Sequence, residues 1–224
     1  MATKNEQPTD VSDMANVHQA FRRGFGEARS QLAYIEDGDT ERAAFFADYM
    51  SEVLWFLHAH HEGEDELLYP RLAERVPSEA DLWARMDDQH SGVSGKLKSA
   101  NQAATAYRAS ASRSDADRLA DECESLWDAL GPHLSQEEAE VLPIAADYIT
   151  PEEWGQLPQH ALMHYTGERL WLPFGLATEA FPAEVRDEIV ASAPPLSAMW
   201  NGGGSKAFDN HMQLIRDSSA WSQR

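Results

Sequence analysis

Residues 58–70, HAHHEGEDELLYP, place three histidines and four acids in thirteen positions, running into an apolar stretch. Imidazole nitrogens and carboxylate oxygens are ligands for borderline and hard metal cations. His60 and Glu64 are four apart, so on a helix they stack on one face. Alone, the pair would be an ordinary ion pair on a helix surface. A second segment changes that reading. HLSQEEAEVLP (133–143) lies over HHEGEDELLYP (60–70) without a gap. His133 and Glu137 match His60 and Glu64, a further acid follows each glutamate, and Pro143 matches Pro70.

In both segments the histidine–glutamate face is the apolar one. Leu57 precedes His60 by three and Leu67 follows Glu64 by three; Leu130 precedes His133 by three and Val141 follows Glu137 by four. His18, before Phe21 and Phe25, and His90, between Met86 and Val93, lie on the apolar stripes of two other helical stretches. Four imidazoles and two carboxylates sent into one core cost many kcal/mol unless cations are there to pair with them.

The elements that must position these groups are helical. Met14, Val17, Phe21, Phe25, Ala28 and Leu32 recur three and four apart until the turn at Asp37–Asp39. Thr40 is read as the N-cap of a second helix that carries the 58–70 segment. Ser78, after Pro77, is read as the cap of a third, with Leu82, Met86, Val93 and Leu97 on one face. The polar stretch SASRSD (110–115) leads into a fourth, with Leu119, Leu126, Leu130, Val141 and Ile144, and a kink is expected at Gly131–Pro132. Nothing reads as a strand. The pattern predicts an all-α chain: a loose tail over residues 1–10, an up-down-up-down four-helix bundle over 11–149, and a C-terminal extension of short helices over 150–224 packing on it. The extension opens on a capping box, Thr150-Pro151-Glu152-Glu153, and is cut by prolines and the run NGGGSK at 201–206. Trp171, Leu172 and Phe174 beside Pro173 are expected to offer an apolar docking surface.

The constellation resembles the hemerythrin-like, HHE cation-binding family. The likeness rests on His18, HHEGEDELLYP, the QHSGV around His90 and HLSQEEAEVLP, and covers residues 12–149. It implies two iron ions, oxo- or hydroxo-bridged, with Glu64 and Glu137 as bridging carboxylates and His18, His60, His90 and His133 as terminal ligands. Manganese is the alternative metal; zinc, with its four-coordinate habit, fits less well. Members of the family commonly use a fifth histidine, often from the third helix, where this chain has Ser94 one turn beyond His90. Two six-coordinate ions offer roughly twelve positions, and the implied ligands with a bridging oxygen fill about ten. Candidates for the gap are His61, Asp65, Asp87, Glu138 and His164 of the C-terminal segment. His61 is expected to face away from Glu64.

Such a centre implies a protein that binds or reacts with a small oxidant: dioxygen, nitric oxide or peroxide. The alternatives are a di-iron oxidase or oxygenase acting on a small organic substrate, and an iron or oxygen sensor without turnover. GFGE at 24–27 lacks the third glycine of a dinucleotide fingerprint, so electrons are expected from a partner or a substrate. Eighteen Lys+Arg against thirty-eight Asp+Glu, a net charge of −20, argue against nucleic acid and anionic membrane surfaces. No window approaches the roughly 18 consecutive apolar residues of a spanning helix. The single Cys123 excludes an intramolecular disulfide and reads as a small buried apolar residue. The opening residues MATKNEQPTD lack an apolar core and a cleavage pattern, and a cytoplasmic location is the expectation.

Overall fold

The computed structural model describes residues 3–163 and 170–221; His164 lies outside the described residues. Among the described residues every regular element is a helix. Helices α1 (Ser12–Gly26) and α2 (Ala28–Ala33) follow the first apolar stripe, separated at Glu27. Helix α3 (Thr40–Gly63) is capped one residue earlier than expected, by Asp39, whose carboxylate accepts the Arg42 N–H at 3.0 Å. It passes into a π-helical turn, Glu64–Leu68, and then α4 (Tyr69–Arg75). Ser78 does not cap a helix, because it lies inside a 3-10 turn, Pro77–Glu79, ahead of α5 (Ala80–Ser110). Ser112 caps α6 (Arg113–Gln136), accepting the Asp115 N–H at 3.2 Å. Helix α6 continues through Gly131 and Pro132, and α geometry gives way at a second π turn, Glu137–Val141, before α7 (Leu142–Tyr148).

The two π turns share a cause. In each, an N–H reaches back five residues: Tyr69 to the Glu64 carbonyl and Leu142 to the Glu137 carbonyl. The next residue is Pro70 or Pro143, which has no N–H to give. With that rung of the ladder missing, the helix widens locally instead of breaking.

Helix α3 packs on α5, α5 on α6, α6 on α1 and α1 on α3, closing a ring. Gly24 permits the close approach of α1 to α3, since a Cβ there would lie 2.7 Å from Val53 Cγ1. Two apolar clusters fill the interior. The larger includes Phe21, Leu57, Val93 and Leu130; the smaller includes Met14, Leu68, Met86 and Val141. On every helix of the ring the chain crosses from one cluster to the other at a histidine: His18, His60–His61, His90 and His133. That level is where the site lies.

The extension comprises α8 (Pro151–Trp154), with the expected Thr150–Glu153 capping box, α9 (Gln156–Met163), α10 (Trp171–Thr178), α11 (Ala183–Ser192), α12 (Pro194–Met199), a kink (Trp200–Gly204) where Gly203 takes a positive φ, α13 (Ser205–Arg216) and α14 (Ser218–Trp221). Helix α9 lies on α3, and α10 on α1 and α3. Trp171, Leu172 and Phe174 therefore form no docking surface: α10 is apolar on all sides because it packs inside, with Leu172 at 0 % exposure. Near the N-terminus, in the segment read as a loose tail, Asn5 N–H donates to the Asp147 carbonyl and Thr9 N–H to the Ala146 carbonyl, at 2.7 and 2.8 Å. Among the described residues no helix is long and apolar enough to cross a membrane.

Candidate metal centre

His18, Glu64, His133 and Glu137 are at 0 % exposure, and His60, His61 and His90 are buried with them. At each π turn the glutamate faces the interior and the next acid reaches a histidine on a neighbouring helix. Asp65 Oδ1 lies 2.7 Å from His90 Nδ1, and Glu138 Oε1 lies 2.8 Å from His18 Nδ1. An ionised carboxylate only accepts, so each Nδ1 carries the ring proton and each Nε2 keeps a lone pair turned inward. Burial alone would raise Glu138, but hydrogen bonds from His18 and Arg22 outweigh it and hold the carboxyl at about 2.

His133 reaches the same tautomer through a relay. The Glu140 carboxylate accepts from Gln136 Nε2 at 3.0 Å, Gln136 Oε1 from Gln89 Nε2 at 2.8 Å, and Gln89 Oε1 from His133 Nδ1 at 3.0 Å. The consequence appears between two rings. His90 Nε2 and His133 Nε2 lie 3.2 Å apart. With both protons on the outward nitrogens, two lone pairs face one another, which is repulsive unless a cation sits between them. A proton is poorly suited, because burial pushes His133 down to about 4.

The carboxylates show the same need. Glu64 Oε1 is 3.2 Å from His60 Nε2 and Oε2 is 3.7 Å from His90 Nε2; Glu137 Oε2 is 3.4 Å from His18 Nε2 and 3.9 Å from His133 Nε2. The groups are close, yet His18 Nε2, His60 Nε2, His61 Nε2, both Glu64 oxygens and Glu137 Oε2 are buried without an aligned hydrogen bond. Each buried unsatisfied group costs about 1–3 kcal/mol. Burial, and then the facing Glu137 carboxylate, push Glu64 well above the usual carboxylate range, while burial pulls His60 and His61 well below the usual imidazole range. A cation reverses both penalties, since it favours the ionised carboxylate and uses the neutral imidazole's lone pair.

Two ligand sets emerge, each with atoms within 4.8 Å of one another: His61, Glu64, His90 and His133; and His18, His60, Glu64 and Glu137. Glu64 belongs to both. The six expected inward residues therefore come together, and His61 joins them. Its expected outward orientation is wrong. At 7 % exposure it stacks on His90 with ring centroids 4.1 Å apart and meets His133 edge-on at 5.2 Å. Neighbouring helix residues point about 100° apart, and α3 lies between α1 and α5, so His60 turns toward His18 while His61 turns toward His90. The repeat carried the signal: position 61 aligns with Leu134, a buried residue.

The other candidates separate. Asp65 and Glu138 bind the outer nitrogens of histidines instead of facing the centre. Asp87 is exposed and away from both sets. Glu66 turns to His160, at 3.3 Å. Two residues escaped the sequence reading: Gln89 of the relay, and Tyr69, whose hydroxyl donates to Glu137 Oε1 at 2.9 Å. Tyr69 was hidden in an apolar run and Gln89 on a polar face.

Oxygen and nitrogen donors, no sulfur, and a carboxylate common to both sets fit a pair of hard or borderline ions. Comparison with the curated proteins and with the solved structures returned no match. The family model for the hemerythrin HHE cation-binding domain matches residues 9–145, more than half of the chain and every member of both ligand sets; the chain belongs to this family of cation-binding domains.

Proposed function

We propose that the protein holds a binuclear non-haem iron centre that binds or reacts with a small oxidant: dioxygen, nitric oxide or peroxide. The ring of α1, α3, α5 and α6 is read as an up-down-up-down four-helix bundle with this centre inside it. His61, His90 and His133 would hold one ion and His18 and His60 the other, with the Glu64 and Glu137 carboxylates as the oxygen donors to the pair. The observation that carries this reading is the pair of facing Nε2 atoms on His90 and His133, 3.2 Å apart with both ring protons committed outward.

Five imidazoles and two carboxylates would supply at most about nine donors, against the roughly twelve that two six-coordinate ions accept. The shortfall is larger on the His18/His60 side, where a small molecule would enter. Iron supplies reversible exchange between ferrous and ferric states. The chain supplies the rest. Asp65, Glu138 and the Gln89 relay fix the imidazoles as inward donors, and the Tyr69 hydroxyl holds one Glu137 oxygen so that the other faces the centre. An electron donor is a necessary partner for any reductive cycle.

Anaerobic ferrous protein exposed to dioxygen tests the function. A reversible spectral change identifies a carrier or sensor; irreversible oxidation with turnover of added peroxide or reductant identifies an enzyme. No spectral change with dioxygen, nitric oxide or peroxide contradicts the reading. Loading with manganese in place of iron under metal-replete expression would reassign the metal.

A further inference from the structure

A cavity of about 300 Å³ lies between the ring and the extension. Val17, Phe56 and Ala59 form its inner wall, and Leu157, Phe174 and Leu196 are among those forming its outer wall. The outer wall lies wholly beyond residues 9–145, so it is an addition to the family's domain. Among the described residues, the polar groups that reach the lining are those of Asp13, His60, Glu64 and Thr178 and the indole N–H of Trp154. Three of them have local partners. Asp13 Oδ1 accepts from Trp154 Nε1 at 3.0 Å, and Thr178 Oγ1 donates to the Phe174 carbonyl at 2.8 Å. The other two, His60 Nε2 and the Glu64 oxygens, are the unsatisfied atoms of the centre.

We propose that this cavity binds a neutral, mainly hydrocarbon molecule whose one functional end faces Glu64 and His60. Among the described residues no lysine or arginine lines the wall to receive an anion. A cation has little to gain from Asp13, whose carboxyl is occupied by Trp154 and which burial pushes toward the neutral form. An engineered apolar cavity of roughly 150 Å³ accepts benzene, so twice that space admits a chain or ring system of about ten carbons. The ligand's polar end meets the ion with fewer nitrogen donors. That orientation rests on the iron reading above; the binding of the hydrocarbon body does not.

The test uses full-length, iron-loaded protein and calorimetric titration with 1-octanol and 1-butanol. One octanol per chain is expected, with affinity about 100-fold above butanol for the four extra methylenes. Ala177→Phe and Ala161→Phe each fill part of the space, and each is expected to weaken octanol at least tenfold while iron content is unchanged. Octanol is also expected to shift the iron-centre absorption, which 1-butanol at equal occupancy of the cavity should do less. Full iron content with no octanol binding, or with affinity unaltered in both variants, overturns the cavity assignment alone. Octanol binding in protein that takes up no iron overturns the iron reading and leaves the cavity assignment standing.

Discussion

Residues 60–70 and 133–143 are two copies of one device. Each puts a histidine and a glutamate on the inner face of a helix, opens into a π turn at the glutamate, and ends on a proline six residues later. In each, the acid after the glutamate grips a histidine from a neighbouring helix, Asp65 on His90 and Glu138 on His18. Two of the positions at which the copies part bear on the site. Where the first has His61 the second has Leu134, and where the first has Tyr69 the second has Leu142. One ligand set thus gathers three imidazoles, His61, His90 and His133, and the other gathers two, His18 and His60. The set with fewer imidazoles is the one whose His60 lines the apolar cavity under the extension. The shared histidine–glutamate pairs enter both ligand sets; the unshared His61 makes one set richer in nitrogen.

The comparison breaks most sharply at the shared glutamate. Glu64 belongs to both sets, so Glu64→Ala should lose nearly all metal, and Glu137→Ala most of it, whereas Glu66→Ala should retain it, as read by elemental analysis of purified protein. Equal loss from all three would mean that the repeat frame is misplaced. His61→Leu copies Leu134 into the first half and should leave about one metal per chain. Retention of two would show that His61 is not a donor.

Smaller effects are expected around the donors. Asp65→Asn and Glu138→Gln remove an acceptor-only partner and release the ring tautomer, so metal affinity should fall about 10–100-fold in chelator competition. Unchanged affinity would detach these acids from the site. The roof can be disturbed separately. A Cβ on Gly175 would clash with one edge of the Phe208 ring, so Gly175→Ala should destabilise the extension by about 1–3 kcal/mol in thermal melts while metal content holds. The smallest effect concerns Glu153, which its hydrogen bond to Arg75 holds at about 2, below its ordinary 4.5. Its contribution is present above pH 4.5 and lost as pH falls toward 2. Glu153→Gln should flatten the acid limb of the stability profile over that window, and an identical limb in both proteins would argue against the clamp.

Much of this was legible because two periods coincide in the sequence. The 3.6-residue apolar stripe set the helices, and the repeat set which polar residues share that stripe. His18 and His90 became meaningful only beside it. The π turns were not legible from periodicity, because an inserted residue shifts the phase without ending the stripe; the aligned prolines were their only mark. His61 was misjudged by treating α3 as having one inner face, when a helix flanked by two others has two. Trp55 is 40 % exposed beside His58 although it lies on a helix of the ring, a position the stripe alone does not distinguish. The short helices of the extension were foreseeable from their prolines and capping box. Their placement over α1 and α3 was not, since an all-apolar segment such as WLPFGLAT names no preferred face.

The central claim is that seven inward side chains are tolerable together only because two cations lie among them. Metal content of the purified protein after iron-replete expression, taken with its electronic spectrum before and after reduction, tests this most directly. Close to two irons per chain, with a near-ultraviolet ferric absorption that reduction abolishes, is the predicted result. A chain that folds with no metal, or that carries a single zinc, would contradict it.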